Sequence, residues 1–278
     1  MTNRIAFQGD PGAYSHEACQ KAYPVMEALP CQSFEDVIMA VRNGEADLAM
    51  LPVENSTYGR VADIHRLLPE SGLHIVDETF VRVRISLLAI PGVRLDEIAT
   101  VRAHLVLLPQ SANFLKMHGI KGVSAADSAG AARMLAEGEN RHEGVLASSL
   151  AAEIYGLDVL ASDIEDHGHN TTRFVIMARE PNYARRGEIA MMTTFVFEVR
   201  NIPAALYKAM GGFATNGVNM TKLESYMVDG SFMATRFYAD IEGHPDDAPV
   251  RRALEEVAYF TNSLTILGVY PAVQARHL

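Results

Sequence analysis

The sequence predicts an α/β protein of two domains, the first with largely parallel sheets and the second with a ferredoxin-like β-α-β-β-α-β order. Three observations carry this expectation. Up to about Ala178, short apolar runs alternate with amphipathic helical stretches. The segment Glu180-Pro181-Asn182-Tyr183-Ala184-Arg185-Arg186-Gly187-Glu188 then breaks the rhythm, being charged, holding a Pro and a Gly, and lacking apolar periodicity. Beyond it, strands and helices follow in a different order. A length of 278 residues also exceeds the usual single-domain size.

Taken in order, residues 4–8 read as a strand and Gly9-Asp10-Pro11-Gly12 as a turn of strong breakers. Ser15 can cap a helix running through His16, Glu17 and Ala18 toward Tyr23. A glycine-containing loop before a helix N-terminus leaves backbone N–H groups that suit an anion, although a plain tight connection reads the same residues equally well. The G-x-G-x-x-G spacing of dinucleotide binders is missing. Ser33 with Asp36 makes a capping-box start for a helix with Phe34, Val37, Ile38 and Val41 on one face, ended by Gly44. Asp47 to Val53 is a nearly continuous apolar run, as in a buried parallel strand. It delivers Glu54-Asn55-Ser56-Thr57 to a strand end, where doubly wound sheets hold ligands and where cap and turn chemistry uses the same residues.

A helix is expected over about Ala62 to Glu70 and a strand over 73–77. Val81, Val83 and Ile85 alternate with Arg82 and Arg84, as in a half-exposed strand with a solvated basic face. The spacing then predicts a helix over Leu95 to Ala103 and a strand over Leu105 to Leu108, with Pro109-Gln110-Ser111 at its end. A helix reaches His118, and a strand near Val123 leads to Asp127-Ser128, which can cap a helix to Gly138. Val145-Leu146-Ala147 is a strand ending in Ser148-Ser149; a helix to Tyr155 and a strand near Val159 follow. Several strand ends thus carry short polar groups, which predicts one shared cleft. The segment 79–90 reads as a crossover between two lobes, with the chain returning near Leu160. After the break, strands are expected over Thr193 to Val199, Val218 to Met227, Phe232 to Ile241 and Ile266 to Tyr270. Helices begin at Pro203 and Pro249, and Asp229-Gly230 is a hairpin signal.

Composition narrows the function classes. Hydrophobic residues make up 49%, ample for packed cores, and the formal net charge is -10 without a long Lys/Arg block. Nucleic acid is therefore not an expected partner, and an anionic substrate needs locally placed basic groups or helix N-termini. No signal-peptide core and no membrane-spanning run is evident. Cys19 and Cys31, the only cysteines, read as reduced cytoplasmic thiols. No Cys-x-x-Cys or His-x-x-x-His spacing points to a metal.

The stretch with most chemistry is Asn170-Thr171-Thr172-Arg173-Phe174. It follows the polar run Asp163 to His169 and leads into the apolar Val175-Ile176-Met177-Ala178. Two hydroxyls, an amide, a guanidinium and a ring can grip a carboxylate and donate a hydrogen bond without a metal. Thr and Phe also simply favour a strand start. His167 and His169 are candidate proton donors on a polar loop.

Together these segments resemble the bacterial prephenate dehydratases with a C-terminal ACT domain. The resemblance runs through Phe7 to His16, Leu51-Pro52-Val53-Glu54-Asn55-Ser56, Ala147 to Ala152 with Tyr155-Gly156-Leu157, and Asn170 to Phe174. In the second domain it rests on Pro203-Ala204-Ala205-Leu206 and Asn219 to Ser225. It implies a two-lobed, periplasmic-binding-protein-like catalytic domain over 1–180, with lobes of roughly 1–78 plus 160–180 and 79–159. A linker over 181–188 and an ACT domain over 189–278 complete the chain. The implied reaction turns prephenate into phenylpyruvate, water and carbon dioxide, with no metal or redox cofactor. Thr172 then lies near the departing hydroxyl, Arg173 pairs with a substrate carboxylate and Phe174 flanks the ring or packs the core. Asn55, Ser56, Gln110, Ser111, Asn170 and Thr171 supply polar contacts. Asn201, Ala205, Leu206, Asn219, Met220, Glu224 and Ser225 fall in the amino-acid-binding segments, with phenylalanine as the implied inhibitor and a homodimer or homotetramer as the implied assembly.

Two departures stand out. Glu224-Ser225-Tyr226-Met227 replaces Glu-Ser-Arg-Pro, and Pro203-Ala204-Ala205-Leu206 replaces Pro-Gly-Ala-Leu. Both put the regulatory ligand in question. The rival readings are an arogenate dehydratase of the same fold and a non-enzymatic, two-lobed solute-binding and amino-acid-sensing protein.

Overall fold

Local sequence explains most of the elements in the computed structural model, which describes residues 2–184, 189–200, 202–227 and 234–273. Strand β1 (Arg4–Gln8) buries Ile5, Ala6 and Phe7, and helix α1 (Tyr14–Ala22) follows the glycine turn. After β2 (Glu27–Cys31), α2 (Phe34–Arg42) opens with the predicted box, in which Ser33 Oγ accepts from the Asp36 amide and Asp36 accepts from the Ser33 amide. The apolar run becomes β3 (Leu48–Asn55), which turns back through the two-residue β4 (Gly59–Arg60). Helix α3 (Ala62–Leu67) and a short 3-10 turn lead to β5 (His74–Arg82) and β6 (Ser86–Ala89).

Here two expectations are corrected. Leu95–Glu97 is only a 3-10 turn, and Thr100–His104 is strand β7, not the end of a helix. The period of two decides it: Val101 and Ala103 are buried while Arg102 and His104 are exposed. Conversely, the run expected as a strand at Leu105 to Leu108 leads into a short helix, α4 (Leu107–Gln110), with Leu105 left exposed. Pro109 is tolerated because it lies within the first helical turn. Gln110 therefore sits in a helix and Ser111 follows it directly.

The chain continues as α5 (Ala112–His118), β8 (Lys121–Ala125), α6 (Ser128–Glu137), β9 (Glu143–Ala147), α7 (Ser149–Tyr155), β10 (Asp158–Ala161) and β11 (Thr171–Ala178). Asp127 caps α6 through the Gly130 amide at 2.6 Å, and Ser148 caps α7 through the Ala151 amide at 3.2 Å. Ser15 does not cap α1. Ala13 is the N-cap, no side chain bonds there, and Ser15 is buried inside the first turn.

Two units result. The first comprises residues 1–61 and 80–174 and contains two lobes. In one lobe β1 lies between β2 and β3, all parallel. In the other the order is β10-β6-β9-β7-β8, with β7 parallel to both β8 and β9, and β6 antiparallel to β9 and β10. Its core joins Ile85, Leu87, Val101, Leu107 and Leu146.

The second unit comprises residues 62–79 and 175–278. After β12 (Met191–Val199) come α8 (Ala205–Thr215), β13 (Met220–Met227), β14 (Ala234–Glu242), α9 (Ala248–Phe260) and β15 (Thr261–Pro271). The sheet order β13-β14-β12-β15 is the ferredoxin-like arrangement. Phe195, Phe197, Phe213, Phe237 and Val257 share its core between sheet and helices. Pro203 precedes α8 by two residues, and Ala204 caps it in a left-handed conformation. The hairpin signal Asp229-Gly230 lies outside the described residues, as does part of the linker, 185–188. No helix among the described residues is long and apolar enough to cross a membrane.

Candidate functional site

The ends of β3 and β4, the approach to β11, helix α4 and the N-termini of α1, α6 and α7 surround one cavity of roughly 450 Å³ in the first unit. That is within the range of small-molecule sites, about 300–1,000 Å³. Its polar wall is a chain of three side-chain amides. Asn55 Nδ2 donates to Asn170 Oδ1 at 2.5 Å and to Thr172 Oγ1 at 3.0 Å. Asn170 Nδ2 donates to Gln110 Oε1, and Gln110 Nε2 donates to the Val106 carbonyl at 2.9 Å. Asn55 Oδ1 accepts from the Thr57 and Tyr58 amides, both at 3.0 Å. Every polar atom of Asn55 is therefore used, and the amides are fixed in one sense. Such buried chains polarise one another.

The chain of amides sets the state of Thr172. Its oxygen accepts from Asn55, which leaves its own proton and one lone pair for a ligand. Thr172 is half-buried in the cavity wall. The neighbouring residues do other things. Arg173 is 2% exposed, and its Nη1 donates to Glu54 Oε1 at 2.9 Å. Phe174 is buried in the core. Ser56 and Thr171 tie β3 to β11: the Ser56 amide bonds the Thr171 carbonyl, the Thr171 amide bonds Ser56 Oγ, each at 2.9 Å, and Ser56 Oγ donates to the His169 carbonyl. Ser111 is fully buried outside the cavity lining, and its hydroxyl has no hydrogen-bond partner among the described residues.

The opposite wall is the turn before α1. Gly12 has φ +92°, and a Cβ there would come within 2.7 Å of Ala151 Cα, so only glycine fits against α7. Ser148 Oγ donates to the Gly12 carbonyl at 2.6 Å and Tyr155 OH to the Pro11 carbonyl at 2.8 Å. The Gly12 amide donates to His16 Nδ1 at 3.1 Å, and the His16 ring stacks on Phe7. Burial pushes the His16 pKa down. The Tyr14 phenol donates to the Arg84 carbonyl at 2.8 Å, and burial raises its pKa far above the usual range. Tyr58 reaches from the β3–β4 turn to the Val106 carbonyl at 3.1 Å and so spans the two lobes.

Asn55, Gln110, Asn170 and Thr172 are thus brought together, while Ser56, Ser111, Thr171, Arg173 and Phe174 lie outside the lining. His167 and His169 are exposed and also outside it. Sequence reasoning missed Ser15, Tyr58, Arg60 and His104, all of which line the cavity. The signal for His104 was the alternation of β7, hidden under a helix-like spacing. Among the described residues no cluster of His, Cys, Asp and Glu could hold a metal.

In the second unit the expected regulatory residues divide between two faces. Ala205 and Leu206 start α8 against the core, and Met220 packs on the same core. A register shift after Met220 then places Ser225 opposite Phe237, on the helix-covered face, and Glu224 opposite Tyr238, on the other. Asn219 accepts at its carbonyl from the Glu242 amide. Asn201 lies outside the described residues.

Comparison with known proteins identifies the family and the fold. The family model "PDT: Prephenate dehydratase" matches residues 5–182. A bifunctional N-acyl-homoserine lactone acylase/prephenate dehydratase of Komagataeibacter europaeus is 51% identical, over 96% of this chain and 95% of that one. An arogenate dehydratase/prephenate dehydratase of Arabidopsis thaliana is 39% identical, over 96% of this chain and 72% of its own length. The crystal structure of a prephenate dehydratase from Arthrobacter aurescens, in complex with L-Phe, superposes with a TM-score of 0.87 at 30% identity. It covers 99% of this chain and 93% of that one. The fold is the two-lobed, parallel-rich α/β architecture of those structures.

Proposed function

The chain belongs to the prephenate dehydratase family, and on that premise we propose that it converts prephenate to phenylpyruvate, water and carbon dioxide. One observation carries the reading: the Thr172 hydroxyl, held by Asn55 in a cavity wall, with its own proton left to give. In the reaction the bond from the ring to its carboxylate breaks and releases carbon dioxide. The electron pair enters the ring, the carbon–oxygen bond breaks, and the hydroxyl leaves as water with a proton that solvent supplies through the Thr172 hydroxyl. The product ring is aromatic, so the barrier lies in expelling a poor leaving group. A donor aimed at that oxygen gains strength as negative charge builds on it. Thr172 is a weak acid and acts as a positioned donor or relay, not as the proton's owner.

Asn55, Gln110 and Asn170 line the substrate, and Ser56 and Thr171 hold the strand ends that present them. Arg173 serves the same strand ends through Glu54, in place of gripping a carboxylate, and Phe174 supports them from the core. Residues 1–180 are the catalytic domain. Formation of phenylpyruvate from prephenate by the purified full chain tests the reading; no product from prephenate would overturn it.

Two further activities follow from the relatives. Arogenate carries an amino group where prephenate has a side-chain keto group, and the Arabidopsis relative is named for both substrates. Rates on the two substrates, side by side, separate them. The name of the K. europaeus relative, at 51% identity, adds an N-acyl-homoserine lactone acylase activity. The same preparation assayed on such a lactone decides that point.

We read residues 189–278 as an ACT regulatory domain that binds phenylalanine and lowers turnover. The ferredoxin-like order supports this, as does the L-Phe complex of the Arthrobacter protein. Among the described residues strand β13 ends the sheet order with an open edge, which favours a homodimer or homotetramer that covers it. A cytoplasmic setting is in keeping with two free thiols, one of them, Cys19, buried and pushed up to about 12. Turnover of prephenate with and without saturating phenylalanine tests the regulation.

A further inference from the structure

We propose that the N-terminus of α1, with the Ser15 hydroxyl, is the seat for the carboxylate that the substrate keeps, the one on its pyruvyl side chain. This rests on the dehydratase reading and deepens it by naming what holds the acid.

Three observations meet at this place. Helix α1 has nine residues and no side-chain cap, so its first-turn N–H groups are left for another acceptor. Ser15 is 9% exposed, lines the cavity, and makes no hydrogen bond among the described residues. A hydroxyl that opens on a cavity takes its partner from what fills that cavity, water or a ligand. The turn beneath it is rigid: His16, Ser148 and Tyr155 each hold one of its backbone groups. Rigid N–H groups and a hydroxyl at the positive end of a helix fit a carboxylate. Asp127, the carboxylate in the same lining, is turned to the Gly130 amide at the start of α6.

The chemistry selects which carboxylate sits there. A seat that grips the ring carboxylate would hold a negative charge that must pass into the ring as neutral carbon dioxide departs, and so would stabilise the ground state more than the transition state. Gripping the pyruvyl carboxylate lowers both equally, and so affects binding more than the chemical step. Thr172, in another part of the same lining, is then left to the ring hydroxyl.

The test uses the full chain and two probes, phenylpyruvate and its methyl ester, with binding read by calorimetry. The wild type is expected to bind the acid at least tenfold more tightly than the ester. Ser15→Ala should erase most of that preference. Ser15→Asp should reverse it, and an acid in the first turn suits the helix, so this variant keeps its fold, as a thermal melt would verify. With prephenate, Ser15→Ala should raise KM about tenfold and leave kcat within about twofold. Wild-type acid preference retained in both variants would overturn the seat, and so would a wild type that does not prefer the acid. A wild type that prefers the acid, loses that preference in Ser15→Ala, yet never turns over prephenate would leave the seat standing and sink the dehydratase reading.

Discussion

Asn55 Nδ2 lies 3.0 Å from Thr172 Oγ1 and gives its second proton to Asn170, so one amide orients the threonine and ties it to the rest of the amide chain. Replacing Thr172 by Ala should lower kcat on the order of a hundredfold or more, with a smaller change in KM. Thr172→Ser should recover most of the loss. Steady-state rates on prephenate check this. A change confined to KM would make Thr172 a binding residue only.

The middle of the amide chain is structural as well as chemical. Asn170 is 3% exposed and serves Asn55 on one side and Gln110 on the other. Asn170→Leu strands both partners, and each unmatched group costs about 1–3 kcal/mol. Urea denaturation should show a loss in that range. A variant as stable as the wild type would mean that both amides find other partners.

Arg173 and Glu54 form a pair with a buried cation and a carboxylate that is one-third exposed. Glu54→Ala should destabilise the chain by about 3 kcal/mol, the low end for a buried pair, because solvent reaches the carboxylate. KM for prephenate should move little in this variant. A KM raised more than about tenfold, with stability intact, would return Arg173 to the substrate carboxylate.

How much of this was legible depends on which force placed each residue. Asn55, Asn170 and Thr172 flank or begin apolar strands, and that local pattern identifies them without knowledge of the fold. Gln110 was legible as a polar group after an apolar run, although the run proved to lead into α4 and not into a strand. Ser15 reads from sequence as a cap because Ser favours that position. The turn that leads into it is set at Gly12 by Ala151 and Ser148, more than a hundred residues away. His104 was lost for a different reason: Leu95 to Ala103 also fits a helical period, which masked the alternation of β7 that pairing with β8 and β9 makes decisive. Long-range pairing is what a single sequence shows least.

The His16 contact predicts a pH dependence. Nδ1 accepts from the Gly12 amide, so it carries no proton in the fold, and burial lowers the ring's pKa. The unfolded chain titrates near pH 6.5. Between that value and the lower folded one, the unfolded state binds more protons, and stability rises with pH. Wild-type stability should therefore fall as the pH drops below about 6.5, and His16→Gln should flatten that part of the profile. Urea midpoints at a series of pH values provide the measurement. Equal slopes in the two proteins would remove His16 as the cause.

The single sense of the Asn55–Asn170–Gln110 chain also sets how this site ages. Hydrolysis of one amide to an acid changes the side chain's shape hardly at all, but it turns a donor into an acceptor. At Asn55 the new oxygen would face Asn170 Oδ1, an acceptor, and the Thr172 hydroxyl, whose one proton it would draw to itself, in a place that solvent only partly reaches. The threonine would then spend on that acid the proton it otherwise offers the substrate. An old preparation could then look folded by every spectroscopic measure and still have lost its turnover through the release of one ammonia.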